Sequence, residues 1–324
     1  MKTAPLAGTC AAALLALVLT GCSQDDAPAS AGPAGSSRPA TASPAELPGG
    51  IAPLGTEQQL AGGAWKARVR PLQAATSSGG SSVPSGWSAA RVRVDMTNTG
   101  TDIALLPETE VTVRVGELGL GTVPFTDKAL SGFPEPDAGT KVKPGATFTA
   151  DLGVNVPPRS AGQRATVTLE ATQAGLAEAD TVFFEGPLSG SRAGTTPAPA
   201  ATAATGSAIE LGQWSPDGVR VSPLLLAADK GGRREGTVEL SVRNADDEPR
   251  SGMGVTLRVL VGADLTTADT ASAGLGYRDA PIAPRRTATG TVRVSVPSRA
   301  VPGPVTVEAE QRGGERLTFE GNLK

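Results

Sequence analysis

Along most of the chain apolar and polar residues alternate with a period of two. Val92-Arg93-Val94-Asp95-Met96-Thr97-Asn98, Val111-Thr112-Val113-Arg114-Val115 and Val167-Thr168-Leu169-Glu170-Ala171 all alternate, are rich in Val and Thr, and are bounded by Gly, Pro, Asn or Asp. A period of two sends successive side chains to opposite faces, so these pieces predict half-buried antiparallel strands. No helical period is sustained, apart from a short turn expected over 224–230. The N-terminus follows a different pattern. Lys2 precedes an uncharged stretch over 3–20, centred on Ala11-Ala12-Ala13-Leu14-Leu15-Ala16-Leu17-Val18-Leu19. That block is shorter than the roughly 20 apolar residues that span a bilayer, and it predicts a cleavable leader over 1–21.

The strand pieces recur in the same order further on, which predicts a duplicated unit. Arg68-Val69-Arg70-Pro71-Leu72 is echoed by Arg220-Val221-Ser222-Pro223-Leu224, and Val92 to Asn98 by Val238-Glu239-Leu240-Ser241-Val242-Arg243-Asn244. Val111 to Val115 pairs with Val255-Thr256-Leu257-Arg258-Val259, and Val154-Asn155-Val156-Pro157 with Val294-Ser295-Val296-Pro297. Val167 to Ala171 pairs with Val305-Thr306-Val307-Glu308-Ala309, and Phe184-Glu185-Gly186 returns as Phe319-Glu320-Gly321. The spacing shrinks along the chain, so the first copy carries the longer loops. Two stretches rich in Ala, Pro, Ser, Thr and Gly separate the parts. Residues 22–57 read as a disordered tether with an average span of roughly 30 Å, and 189–208 as a linker. The copies are then 58–188 and 209–324. Six or seven short strands in each predict an all-β chain of two tandem immunoglobulin-like β-sandwiches.

Cysteine usage adds to the reading of the leader. The only two cysteines are Cys10, inside it, and Cys22, at its end. A cleaved chain keeps one and forms no internal disulfide. Leu19-Thr20-Gly21-Cys22 resembles the lipobox of bacterial lipoproteins, with Leu three residues before the cysteine and small residues between. The resemblance implies a diacylglyceryl group on the Cys22 thiol, a further acyl chain on its freed amine, and retention at the extracytoplasmic face of the cell membrane. The competing reading is a secreted protein whose mature N-terminus happens to carry a cysteine.

The strand ending in Asn98-Thr99-Gly100, the Pro144-Gly145 step and the strand ending in Val156-Pro157 resemble immunoglobulin-like modules of uncharacterised Gram-positive lipoproteins. The second copy departs from that pattern with Asn244-Ala245-Asp246 and Pro284-Arg285. The resemblance implies a fold and carries no catalytic residues with it. The scarcity of Lys, the absence of His and the abundance of Ala, Gly, Pro and Thr point to a high-GC, actinobacterial source.

Composition narrows the chemistry. A net charge of −3 argues against nucleic acid as a partner. Without His, serine and cysteine triads and the usual zinc sites are excluded. Gly116-Glu117-Leu118-Gly119-Leu120-Gly121 has the wrong glycine spacing for a dinucleotide fingerprint. Asn244-Ala245-Asp246-Asp247-Glu248 only loosely resembles a calcium loop, since Pro249 stands where glycine is needed. Glu170 with Glu308, and Glu185 with Glu320, recur in both copies and read as structural. Trp65 and Trp214, each just before the first strand of its copy, read as core or domain-edge anchors, with ligand stacking as the alternative.

If matched residues specify the fold, function belongs where the copies differ. That directs attention to 77–87, ending in Trp87, and to 117–140, with Phe125 and Phe133. In the second copy it points to Lys230, Arg233 and Arg234, and to Arg285 and Arg286. Loops at the ends of sandwiches are common recognition surfaces. The expectation is a non-catalytic module held to the membrane by its lipid, binding a protein or a cell-wall polymer, with no cofactor beyond that lipid and no metal. A structural spacer is the alternative. A glycan-acting enzyme using paired carboxylates is the weakest reading, because such sites are built on aromatic platforms and this chain has three Trp, one Tyr and six Phe.

Overall fold

Each alternating piece forms a strand. The computed structural model describes residues 50–75, 86–135, 138–158, 160–173, 179–189, 208–252, 254–275, 280–311 and 316–323. The leader, Cys22, most of the expected tether, most of 77–87 and most of the linker lie outside them. The first copy contains β1 (Ile51–Pro53), β2 (Glu57–Leu60), β3 (Trp65–Val69), β4 (Gln73–Ala75), β5 (Ser88–Asn98), β6 (Ala104–Leu105) and β7 (Glu108–Val115). It continues with β8 (Leu120–Gly121), β9 (Val123–Phe125), β10 (Lys141–Val142), β11 (Thr147–Val156), β12 (Arg164–Thr172) and β13 (Asp180–Pro187). The second copy contains β14 (Ile209–Glu210), β15 (Val219–Val221), β16 (Leu225–Leu226), β17 (Arg233–Arg243) and β18 (Val255–Val261). It ends with β19 (Thr266–Thr267), β20 (Asp269–Leu275), β21 (Thr287–Pro297), β22 (Gly303–Gln311) and β23 (Arg316–Leu323).

Two layers enclose each core. In the first copy, β2-β3-β5-β11-β9 with β4 faces β1-β13-β12-β7-β8. The inward residues Trp65, Val92, Val94, Met96, Val113, Val115, Val167, Leu169 and Phe184 meet between them. In the second, β15-β17-β21 with β16 and β20 faces β14-β23-β22-β18-β19, around Val219, Leu240, Val259, Val294, Val307 and Phe319. Apolar burial at roughly 25 cal/mol per Å2 is what holds such layers together, and the period-two pattern delivers it.

Several repeated motifs have a packing reason. Asn98 closes β5 by donating its amide to the carbonyls of Asp102 at 2.8 Å and Val142 at 2.9 Å, while its Oδ1 accepts from Gly100 N–H at 2.9 Å. Asn244 does the same after β17, with Glu248, Ile282 and Asp246 N–H. The Phe-Glu-Gly motif ends in glycine because a leucine lies on it. A Cβ on Gly186 would stand 2.7 Å from Leu54 Cδ1, and one on Gly321 2.7 Å from Leu211 Cδ1.

The structure corrects several expectations. Strands are present before residue 58. β1 pairs in parallel with β13, Ile51 opposite Phe183, and Ile51 is buried. The turn expected over 224–230 opens instead with strand β16, its Leu225 exposed. Two motif matches are displaced by one alternation. Val167 lies opposite Phe184 and Val307 opposite Phe319, so Val167 corresponds to Val307 and not to Val305. Through the next ladder Val113 corresponds to Val259, and Glu170 to Glu310 instead of Glu308. A two-residue shift keeps every side chain on its face, so the pattern itself could not reveal it.

Candidate functional site

The two copies diverge most on the open side of the first sandwich. In the second copy β20 runs beside β21 through Leu275. In the first, β9 pairs with β11 over only three residues, Val123 to Phe125, before the chain leaves the sheet. The departing loop folds back on β11: Gly132 N–H donates to Asp151 O at 3.0 Å, and Asp151 N–H to Ser131 Oγ at 3.1 Å. A cleft of about 350 Å3 remains between this loop and β7. Phe125, Leu130, Phe133, Val111, Leu152 and Val154 line it.

Each aromatic is fixed by its surroundings. Phe125 lies opposite Gly153, where a Cβ would stand 2.6 Å from the ring, so the glycine makes room for it. Phe133 packs near Phe148, ring centroids 6.1 Å apart. Both expected phenylalanines therefore meet at one cleft, Phe125 buried and Phe133 half-buried. Trp87 is half-buried and is not among the lining residues.

The charged residues of the cleft are Glu110, Asp127 and Asp151, with no Lys or Arg among its lining side chains. Asp151 takes a bidentate pair from Arg93, at 2.8 and 3.0 Å. That hydrogen-bonded pair holds its carboxyl below the ordinary carboxylate range, so Asp151 carries no proton to donate near neutrality. The described residues contain no group of three or more side chains able to hold a metal ion.

Three of the second-copy arginines, Arg233, Arg285 and Arg286, are already engaged. Arg233 donates to Asp269 at 2.6 Å and to Ser295 Oγ at 2.8 Å. Arg234 is half-buried, its Nε enclosed without a partner among the described residues. Lys230 is exposed. Arg285 forms a bidentate pair with Asp247, at 2.8 and 3.0 Å, which also ties up the acidic loop considered for calcium. Arg286 reaches Glu185 in the first copy, at 2.5 and 3.0 Å, and is only 18% exposed. Arg285 and Arg286 thus form no open basic cluster. Trp65 is core, whereas Trp214 lies beneath the Arg243 guanidinium, 4.2 Å from its ring centroid. The Glu185 motif position is structural in one copy only, since Glu320 is exposed.

Sequence reading missed the seam to which Arg286 belongs. Both copies lie within one compact unit, Pro44–Lys324. The hairpin ending in β8 leaves the first copy and bridges Leu120 to Thr289 of β21, making one continuous ten-stranded sheet. Thr289 N–H donates to Gly119 O at 3.0 Å, and its hydroxyl to Leu118 O at 2.6 Å. Arg114 donates to the carbonyls of Ala280 and Pro281, both at 2.8 Å, and burial lowers its pKa to about 10. Ile51, Phe183 and Ala283 form a small apolar contact beside them. Within the Gly116–Gly121 run, Gly119 is glycine for close approach. A Cβ on Gly119 would overlap the Thr287 carbonyl oxygen.

No helix among the described residues is long and apolar enough to cross a membrane. No family model and no curated protein matches the chain. Among solved structures it is similar to an uncharacterised β-sandwich protein from Clostridium difficile 630, with 11% identity, a TM-score of 0.23, and coverage of 44% of this chain and 99% of that one. It is also similar to an exo-chitosanase from Amycolatopsis orientalis, with 15% identity, a TM-score of 0.24, and 71% of this chain against 25% of that one. A secreted serine protease from Vibrio cholerae gives 10% identity, a TM-score of 0.21, and 72% against 47%. The chain thus spans a quarter of the chitosanase chain and less than half of the protease chain. From its own sheets, the protein is an all-β molecule of sandwich type.

Proposed function

We propose that the protein is an extracytoplasmic lipoprotein, anchored through lipid on Cys22, whose first immunoglobulin-like sandwich binds a protein or cell-wall partner without catalysing a reaction. The observation that carries the binding reading is the cleft beside β9. It lies where the edge strands of the copies part, and it gathers Phe125, Leu130 and Phe133 against a strand edge. Concave, mostly apolar sites with a few polar groups are the usual form of a binding site. The anchoring reading draws on Leu19-Thr20-Gly21-Cys22 behind the apolar leader. The non-catalytic reading draws on the absence of His, which leaves no serine or cysteine triad.

A spacer role draws on the seam, which joins the sandwiches into a body suited to holding a fixed length. Capture on intact cells separates the two readings. The wild-type chain should retain a partner that Phe133→Ala loses; equal retention by both would count against the cleft, and retention by neither would favour the spacer. In the same cells Cys22→Ser should move the protein from the membrane fraction to the medium or leave it unprocessed. Unchanged membrane retention would refute the anchor.

A further inference from the structure

The wall of the cleft opposite Phe125 is the edge of β7. That strand pairs with β12 along its whole length, from Glu108 to Val115. On its other side it pairs with β8 only at Arg114 and Val115. Thr122 N–H donates to Val113 O at 3.3 Å, so the Val113 carbonyl points away from β12. Antiparallel ladders alternate the direction of successive backbone groups. Val111 and Thr109 therefore present their N–H and C=O to the cleft, where no strand pairs with them among the described residues. An unpaired edge of this kind is a template for a further strand.

We infer that the cleft takes an extended polypeptide segment of a partner protein, which adds as a strand along Thr109 to Val111 and places an apolar side chain against Phe125, Leu130 and Phe133. This rests on the binding reading above and names its partner class. Strand addition draws affinity from main-chain hydrogen bonds and specificity from pockets for alternate side chains, and this site supplies both within one cleft. The edge is continuous with an interface already in use, because its next two residues pair with β8, which joins the second sandwich. A compact apolar molecule would leave the Val111 and Thr109 backbone groups unpaired, at a cost for each that a peptide avoids.

The test pans a displayed random heptapeptide library against the full chain, with Val111→Pro as counter-target and Val111→Ala as control for the lost side chain. Proline removes the N–H that faces the cleft and is tolerated at a sheet edge. Peptides enriched on the wild type and on Val111→Ala, with apolar residues at alternate positions, are the expected result. Backbone N-methylation of one alternate set in the resynthesised peptides should weaken binding by about tenfold or more, while methylation of the other set should not. The N-methylation arm decides alone if Val111→Pro loses its fold by circular dichroism. Peptides that tolerate both methylations would overturn strand addition while leaving a side-chain-binding cleft intact. An absence of enrichment would overturn it too, and the cell capture by Phe133→Ala would still report whether the module binds anything.

Discussion

Two residues show how the copies trade one backbone geometry for different ends. Leu265 and Arg285 have positive φ, 50° and 56°, and each occupies a place where the first copy has glycine: Gly119 at 59° and Gly145 at 71°. The turns are the same, since Gly119 N–H donates to Gly116 O at 3.0 Å and Leu265 N–H to Gly262 O at 3.2 Å. A left-handed residue with a side chain costs about 1–2 kcal/mol. Arg285 carries a side chain there that pairs bidentately with Asp247. Gly119 has a second constraint, its contact with the Thr287 backbone. Gly119→Ala should therefore cost about 2 kcal/mol or more, from conformational strain and the collision together, whereas Leu265→Gly should gain about 1 kcal/mol. Urea midpoints of the two variants test this, and equal, small losses would contradict the assignment.

Within the elements, β7 and β12 place like charges together. Glu110 and Glu170 stand directly opposite each other. Glu170 is held above the ordinary carboxyl range, first by burial and then by Glu110, against the pull of Arg114. A carboxyl whose pKa is raised by folding favours its protonated form in the fold. Its stabilising contribution is therefore complete below the unfolded value and lost as pH rises through the folded one. Glu170→Gln should raise stability at pH 7 by a few tenths of a kcal/mol, the usual scale of an opposed like-charge pair, and leave it unchanged near pH 3. Thermal melts at both values check this; a gain at both would mean that Glu170 acts through shape and not charge. These strands also mark where sequence reading stops. Alternation located β5, β7, β11, β12 and their counterparts, because a half-buried strand must alternate. It left their pairing register open by two residues, as every second residue of Val-Thr runs looks alike. β1 escaped because three residues, Ile51, Ala52 and Pro53, are too few to show a period inside a Pro- and Gly-rich stretch. Phe125 and Phe133 were legible as a difference between copies. The β7 edge beside them was not, because a sequence does not say which strands lack a neighbour.

At the scale of the molecule, the seam turns a duplicated unit into one body. Its contacts join residues 101 positions apart at Arg286 and Glu185 and 171 apart at Thr289 and Leu118, and no local pattern announces such pairs. Glu185 is 4% exposed on its side chain, with Arg164 at 3.3 Å as a weaker second partner. Removing Arg286 leaves a buried carboxylate largely uncompensated, which costs about 3–5 kcal/mol when no partner remains. With Arg164 still present, Arg286→Ala should cost about 2 kcal/mol. Glu185→Gln in that background should recover part of it. A double-mutant cycle by urea unfolding measures the coupling, and additive losses would show that the two residues do not act as a pair.

The parallel pairing of β1 with β13 also decides how the first sandwich meets a pulling force. Tension applied from the N-terminal side of Ile51 and from the chain beyond Pro187 acts along the two strands in opposite directions. The bonds between Ile51–Pro53 and Phe183–Glu185 are then loaded together in shear, instead of parting one after another as at the end of a hairpin. Forced rupture follows the unfolding rate more than the equilibrium stability. The short strand that joins the fold at its entry is therefore also its mechanical latch.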